Sequence, residues 1–310
     1  MENQHAMKCI GYLLFGLFLL PPVIGVQASD EDWRVFETDA VRVLYTDNGR
    51  SAAERTAALS PRLFQELAAA TGLAVDFRPT VILAANGRDF QRMGGARAFV
   101  AFALPDRQQV MMDLSRFEHR PASLGPVLKH EYAHLLLHRF IPAERLPRWM
   151  DEGIAQHVSD GISEYLPGQR PTVLGEALAT ERVMPLAALT ARFPEDDFSL
   201  QLAYEQSRSI IDYMVRRFGD GVLADLLHHL ADGWSTDEGV RAVSGISLQR
   251  LEADWRQQQT SPLAWMGRMA GHVYGILFFL AALATLVGFL RLQQRRRKYV
   301  DDEDDMCEGN

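Results

Sequence analysis

Apolar positions along the chain first separate short extended runs from longer helical ones. Val41-Arg42-Val43-Leu44-Tyr45 alternates with the period of a half-buried strand, and Thr80-Val81-Ile82-Leu83 reads as a second strand. Between them, Ala52 to Thr71 carries helical periodicity and stops at Gly72, a common helix terminator. Asn86-Gly87 marks a turn. Ala98 to Ala103 and Gln109 to Asp113 flank Pro105-Asp106 and predict a hairpin. An apolar-periodic helix follows from about Ser123 to Phe140, and a second helix is expected around Glu152. Val173 to Leu189 is loosely organised between Pro171 and Pro185. Phe198 to Phe218 is a long amphipathic helix ending at Gly219, and Val222–Leu230, Thr236–Val243 and Leu248–Gln257 complete a helical C-terminal lobe.

The ends follow different rules. Lys8, the apolar run Cys9 to Leu20 and the small-residue site Val26-Gln27-Ala28 predict an export signal over residues 1–28. No Asp, Glu, Lys or Arg stands between Arg268 and Arg291, which predicts a transmembrane helix over 269–290. Arg291, Arg295, Arg296, Arg297 and Lys298 follow it and place the C-terminal side, residues 291–310, in the cytoplasm. The acidic run from Asp301 to Asp305 reads as a solvated tail. Residues 29–262 are then one extracytoplasmic domain of ordinary size, periplasmic if the cell is bacterial.

Composition narrows the chemistry. The two cysteines, Cys9 and Cys307, fall outside residues 29–262, so that domain has no disulfide, no thiol nucleophile and no Cys–zinc site. A formal net charge of −8 gives no reason to expect nucleic-acid binding. His130-Glu131-Tyr132-Ala133-His134 has the form H-E-x-x-H. On a helix, residues four apart lie about 40° apart around the axis and one turn apart along it. Both imidazoles can therefore face one Zn²⁺, with Glu131 beside them to accept a proton from water. His138 lies about 12 Å from His130 along the axis, too far to share that ion on a straight helix. His157 points elsewhere on its own helix.

A catalytic zinc usually takes three protein ligands and leaves one position for water. Trp149-Met150-Asp151-Glu152-Gly153-Ile154-Ala155 follows a loop containing Pro142 and Pro147, and can bring Glu152 up to the imidazoles from a second helix. The pair H-E-x-x-H and W-x-x-E-G-x-A resembles the gluzincin metallopeptidases, in particular the peptidase MA-like domain. That resemblance implies an α+β, zincin-like fold: a small mixed sheet, an active-site helix and a helical C-terminal lobe, here followed by one transmembrane helix. It implies His130, His134 and Glu152 as zinc ligands and Glu131 as general base. It also implies that a strand just before the active helix lines the substrate cleft. Related enzymes place an acidic residue one turn after the ligand Glu, where this chain has Gln156; Asp151 and Asp160 are other candidates to orient a ligand imidazole. Tyr204-Glu205-Gln206-Ser207 resembles the family's Tyr-x-x-Ser segment. It makes Tyr204 a candidate hydrogen-bond donor to the oxyanion, ahead of Ser207 and Tyr213.

The expected activity is hydrolysis of peptide or protein substrates by a membrane-anchored zinc metallopeptidase. Aminopeptidase relatives use extra acidic residues to hold a substrate amino terminus; no matching motif stands upstream here, which favours an endopeptidase. The alternative is a non-catalytic, membrane-tethered zincin-like binding module. Retention of Glu131 argues against it, because zinc can bind without that base.

Overall fold

The computed structural model describes residues 33–97, 99–117, 121–159, 173–260 and 277–292. The expected export signal, the tail beyond 292 and most of the segment joining the domain to the expected span lie outside the described residues, as does Asp160.

Five strands form one mixed sheet: β1 (Arg34–Glu37), β2 (Arg42–Tyr45), β3 (Thr80–Ala84), β4 (Ala101–Leu104) and β5 (Gln109–Asp113), in the order β1-β2-β3-β5-β4. β2, β3 and β5 run parallel, with Val43 opposite Val81 and Val81 opposite Val110. β1 and β4 close the two edges antiparallel. Helix α1 (Arg50–Thr71) makes the long crossover from β2 to β3, as a parallel pair requires. It stops where Gly72 takes a left-handed φ of 69° and returns its N–H to the Ala68 carbonyl.

Alternation along the strands divides the apolar residues between two faces. Val43, Tyr45, Val81, Leu83, Val110 and Met112 enter the main core with α1. Ala84, Phe90 and Met111 form a smaller cluster on the other face, with Phe102 packed against it. Phe90 belongs to α2 (Gly87–Arg92), a short helix where a turn was expected. The Asn86 side chain accepts from the N–H groups of Arg88 and Asp89, so the residue that marked a turn instead caps a helix. The expected hairpin is present as β4 and β5, joined through Pro105–Arg107.

Helix α3 (Leu124–Phe140) is buried nearly all round, as a helix inside a domain should be. Leu124, Val127, Leu128, Leu136 and Leu137 are at most 2% exposed. Each fully buried Leu contributes roughly 1.5–3 kcal/mol. These residues offset the cost of carrying His130, Glu131 and His134 into the interior on the same helix. Helix α4 (Arg148–Val158) crosses α3, and both it and α3 bear the motif residues. Behind α4 lies the C-terminal lobe. It begins with α5 (Leu174–Ala179), followed by α6 (Asp197–Phe218), α7 (Val222–Ala231), α8 (Thr236–Ser244) and α9 (Leu248–Thr260). The capping box at Ser235 and Glu238 starts α8, and the buried Trp255 donates to Ser209 Oγ at 3.1 Å to fasten α9 to α6. The architecture is therefore α+β, mostly helical, with a small mixed sheet.

Of the span expected at 269–290, residues 269–276 lie outside the described residues, and 277–290 are helical and exposed, including Phe278 and Phe279, the helix continuing to Leu292. No described helix is long and apolar enough to cross a membrane.

The glycine of the E-G-x-A segment has a packing reason. A Cβ on Gly153 would lie 2.6 Å from the Ser207 carbonyl oxygen and 2.8 Å from Ile211 Cγ1, so α4 and α6 touch through this position. Gly153→Ala is expected to destabilise the domain by about 1–3 kcal/mol through overpacking, despite alanine's better helix propensity. Thermal unfolding measures it. An unchanged or raised melting temperature would show that this contact does not hold the two helices at their spacing.

Candidate metal centre

The four-residue spacing on α3 and the crossing of α4 bring three ligand atoms together. His130 Nε2 and His134 Nε2 are 3.1 Å apart. Glu152 Oε2 lies 3.6 Å from the first and 3.7 Å from the second. A tetrahedral ion with bonds of about 2.0–2.1 Å sets its ligand atoms roughly 3.3 Å apart, so the triangle has the size that Zn²⁺ needs. Among the described residues these three form the group of metal-ligating side chains whose donor atoms converge, and all three are buried.

The donor chemistry fits the same ion. Among the described residues neither oxygen of the buried Glu152 makes a hydrogen bond, nor does His130 Nδ1; Oε1 meets the Arg148 guanidinium as an ion pair, and Oε2 faces the imidazoles. Buried polar atoms are rarely left in this state, so a cation beside Glu152 Oε2 accounts for its isolation. Asp151 Oδ1 lies 2.7 Å from His134 Nδ1, where it accepts the ring N–H and turns the Nε2 lone pair toward the site. Asp151, adjacent to the ligand Glu, therefore orients His134. Gln156 does other work: its Nε2 donates to the carbonyl oxygens of Glu152 and Tyr204, binding α4 to α6.

Charge in the pocket is unbalanced toward the carboxylates. Burial works against the charged form of His134, but Asp151, then Glu152 and Glu131, outweigh it and push its pKa up to about 10. Burial holds His130 below the usual imidazole value, only partly opposed by Glu152. Burial would raise Asp151, yet the neighbouring His134 and His138 keep its carboxyl ionised far below the normal range. Glu152 is also lowered, against its burial, by Arg148 and the imidazoles. Positive charge on His134 offsets part of the negative charge that these acids bring. Its raised pKa contributes stability that is fully present below about pH 6.5 and is lost as the pH rises through about 10.

The other sequence candidates are also placed. Glu131 is fully buried on α3, next in sequence to His130. His138 reaches Asp151 Oδ2 at 3.1 Å, joining the group around the metal site without facing the ligand triangle. His157 pairs with Asp212 at 2.6 Å. Tyr204 and Ser207 are buried on α6, the Tyr204 ring meeting Phe193 edge-on at 5.2 Å. Tyr213 is buried on the same helix. One residue escaped the sequence reading. Arg148, at the first position of α4, puts Nη2 2.5 Å from Glu152 Oε1 and lays its guanidinium 5.9 Å from the Phe193 ring centroid. An Arg four residues before the ligand Glu was the available signal.

A cleft of about 530 Å³ opens onto the site. His134, His138, Arg148 and Glu152 form one side, and Phe102 and Ala103 of the edge strand β4 form the other. The strand expected beside the cleft is therefore β4, whose outer edge has no further strand among the described residues.

Residues 123–261 match the family model of the Peptidase MA superfamily, a span that contains both metal motifs and the helical lobe. No curated protein matches the sequence significantly. Among solved structures the chain is similar to the M1 zinc metallopeptidase from Deinococcus radiodurans. Identity there is 14% and the TM-score 0.42, over 74% of this chain and 52% of that one. A substituted form of that protein bound to a Tyr-Ser-Ala substrate gives 15% and 0.42, over 75% and 53%. The chain thus spans about half the length of the solved proteins it matches.

Zinc must displace the His134 proton. Titration calorimetry near pH 6.5, in buffers of different ionisation enthalpy, is expected to find about one proton released per zinc bound. Asp151→Asn should abolish most of that release and weaken zinc binding by roughly 10–100-fold. Proton release close to zero in the unsubstituted protein would contradict this account of the pocket.

Proposed function

We propose that this chain is a zinc-dependent peptidase whose ion is held by His130, His134 and Glu152. The observation that supports it is the convergence of His130 Nε2, His134 Nε2 and Glu152 Oε2 on one point, with the buried Glu131 carboxylate on the same helix. Zinc in that position would lower the pKa of a water toward about 7 and polarise the scissile carbonyl. Glu131 removes the proton from the attacking water, holds it, and delivers it to the departing amine. Asp151 keeps the His134 ring turned so that Nε2 faces the ion. The outer edge of β4 carries no further strand among the described residues, and an extended peptide can lie along it. Tyr204 is the proposed second donor to the oxyanion.

The substrate is a peptide or protein cut internally. The sequence supplies no acidic motif ahead of H-E-x-x-H to hold a free amino terminus. A single span over 269–290 tethers the domain, with its active site outside the cytoplasm and residues 291–310 within. The uncharged run between Arg268 and Arg291, and the basic residues that follow it, support this placement.

Glu131→Gln is expected to retain full zinc occupancy and lose about 10²–10⁴-fold in kcat on a peptide library. If the unsubstituted protein, loaded with zinc, is as inert as Glu131→Gln, the chain is a binding module. Peptides blocked at both ends should be cleaved as well as free ones; cleavage confined to free amino termini would make it an aminopeptidase. Removal of the Tyr204 hydroxyl in Tyr204→Phe should lower kcat by roughly 10²–10³-fold, and a change of only a few-fold would leave Tyr204 as a wall of the site. Full-length protein should stay with membranes in alkaline carbonate, and release into the soluble fraction would remove the anchor.

A further inference from the structure

We propose that Arg148 is a positioning residue of this centre: it takes one oxygen of Glu152 so that the carboxylate meets the ion through the other alone. The inference rests on the zinc-site reading above and adds a residue to it. The two oxygens of Glu152 already have separate surroundings. Oε2 faces both imidazoles at 3.6 and 3.7 Å, while Oε1 lies 2.5 Å from Arg148 Nη2. Arg148 also reaches toward the residue that orients His134, with Nη1 4.0 Å from Asp151 Oδ2. One guanidinium therefore adjoins both carboxylates of the motif.

Helix energetics do not explain this pair. A cation in the first turn of a helix sits at the positive end of the dipole, and a basic residue four positions before an acidic one is the weaker orientation. Arg148 is nevertheless firmly placed. Pro147 precedes α4, the Arg148 N–H donates to the Thr190 carbonyl at 2.8 Å, and the guanidinium rests against the Phe193 ring. Glu152, by contrast, is wholly buried, so its carboxylate needs a partner for each oxygen.

The chemical consequence follows from coordination number. A carboxylate can bind a divalent ion through one oxygen or both. With two imidazoles and a two-oxygen carboxylate, zinc already has four ligand atoms, so the fourth position is taken and water can enter only as a fifth ligand. Holding Oε1 on a guanidinium keeps that position open. A planar Arg does so in a fixed direction, which the point charge of Lys only partly reproduces.

The test uses the full chain loaded with zinc and, in parallel, with cobalt as a visible probe of coordination. Arg148→Gln is expected to weaken zinc binding by roughly 10–100-fold. Its cobalt absorption band should lose intensity as coordination number rises, and kcat should fall with KM nearly unchanged. Arg148→Lys should recover part of each. Wild-type metal affinity and cobalt spectrum in both variants, with a raised KM, would overturn the proposal and make Arg148 a substrate contact. Unchanged metal binding, spectrum and kinetics would leave it a surface ion pair. If the unsubstituted protein takes up neither metal, the zinc reading fails and this one falls with it; if it binds metal and hydrolyses peptides while the variants behave alike, only the role of Arg148 fails.

Discussion

The structure depends on one close meeting of charges inside the domain. Two imidazole nitrogens 3.1 Å apart share a buried site with the Glu152 carboxylate, and Asp151 and Glu131 lie beside them. Such a group is unfavourable unless a positive charge resides within it. The carboxylates favour the charged form of His134, Arg148 pairs with Glu152, and the three converging atoms have the spacing of ligands to a divalent ion. Much of the surrounding fold serves to hold α3 and α4 at the separation that keeps these atoms facing one another.

That separation is set from both sides. On one side α3 is wrapped in apolar contacts with α1 and the sheet, which fix its axis deep in the domain. On the other, α4 lies directly on α6 through Gly153, with Gln156 bonded to the Tyr204 carbonyl. The W-x-x-E-G-x-A pattern thus combines a ligand, a buried anchor in Trp149 and a glycine that lets another backbone approach. Chemistry and packing occupy alternate faces of the same short helix.

Much of this was legible in the sequence because it depends on local periodicity. The strands β2, β3 and β5, the helix bearing H-E-x-x-H and the amphipathic helices after Pro185 follow from spacing and terminators alone. The imidazole pair was legible because four-residue spacing on a helix is a geometric statement, whereas Glu152 as the third member was implied by the resemblance of the E-G-x-A segment. The misses are tertiary. β1 carries little buried surface and joins the sheet only by pairing with β2. Asn86 offered the same signal for a turn or a cap, and Phe90 burying itself on the sheet decided for the helix. Asp151, one of the candidates named from the sequence, bonds the His134 ring, while Gln156 in the family's usual orienting position donates to the Tyr204 carbonyl instead. Arg148 was hidden because its charge opposes the helix dipole, so no local rule favours it there.

X-ray absorption at the zinc edge of the zinc-loaded full chain tests the centre most directly. The account predicts two imidazole nitrogens and a carboxylate oxygen at about 2.0–2.2 Å, completed by one further light-atom ligand. Replacing Glu152 with Ala should change that shell while the imidazole signature persists. A spectrum with fewer than two imidazoles, or one indifferent to the loss of Glu152, would contradict it.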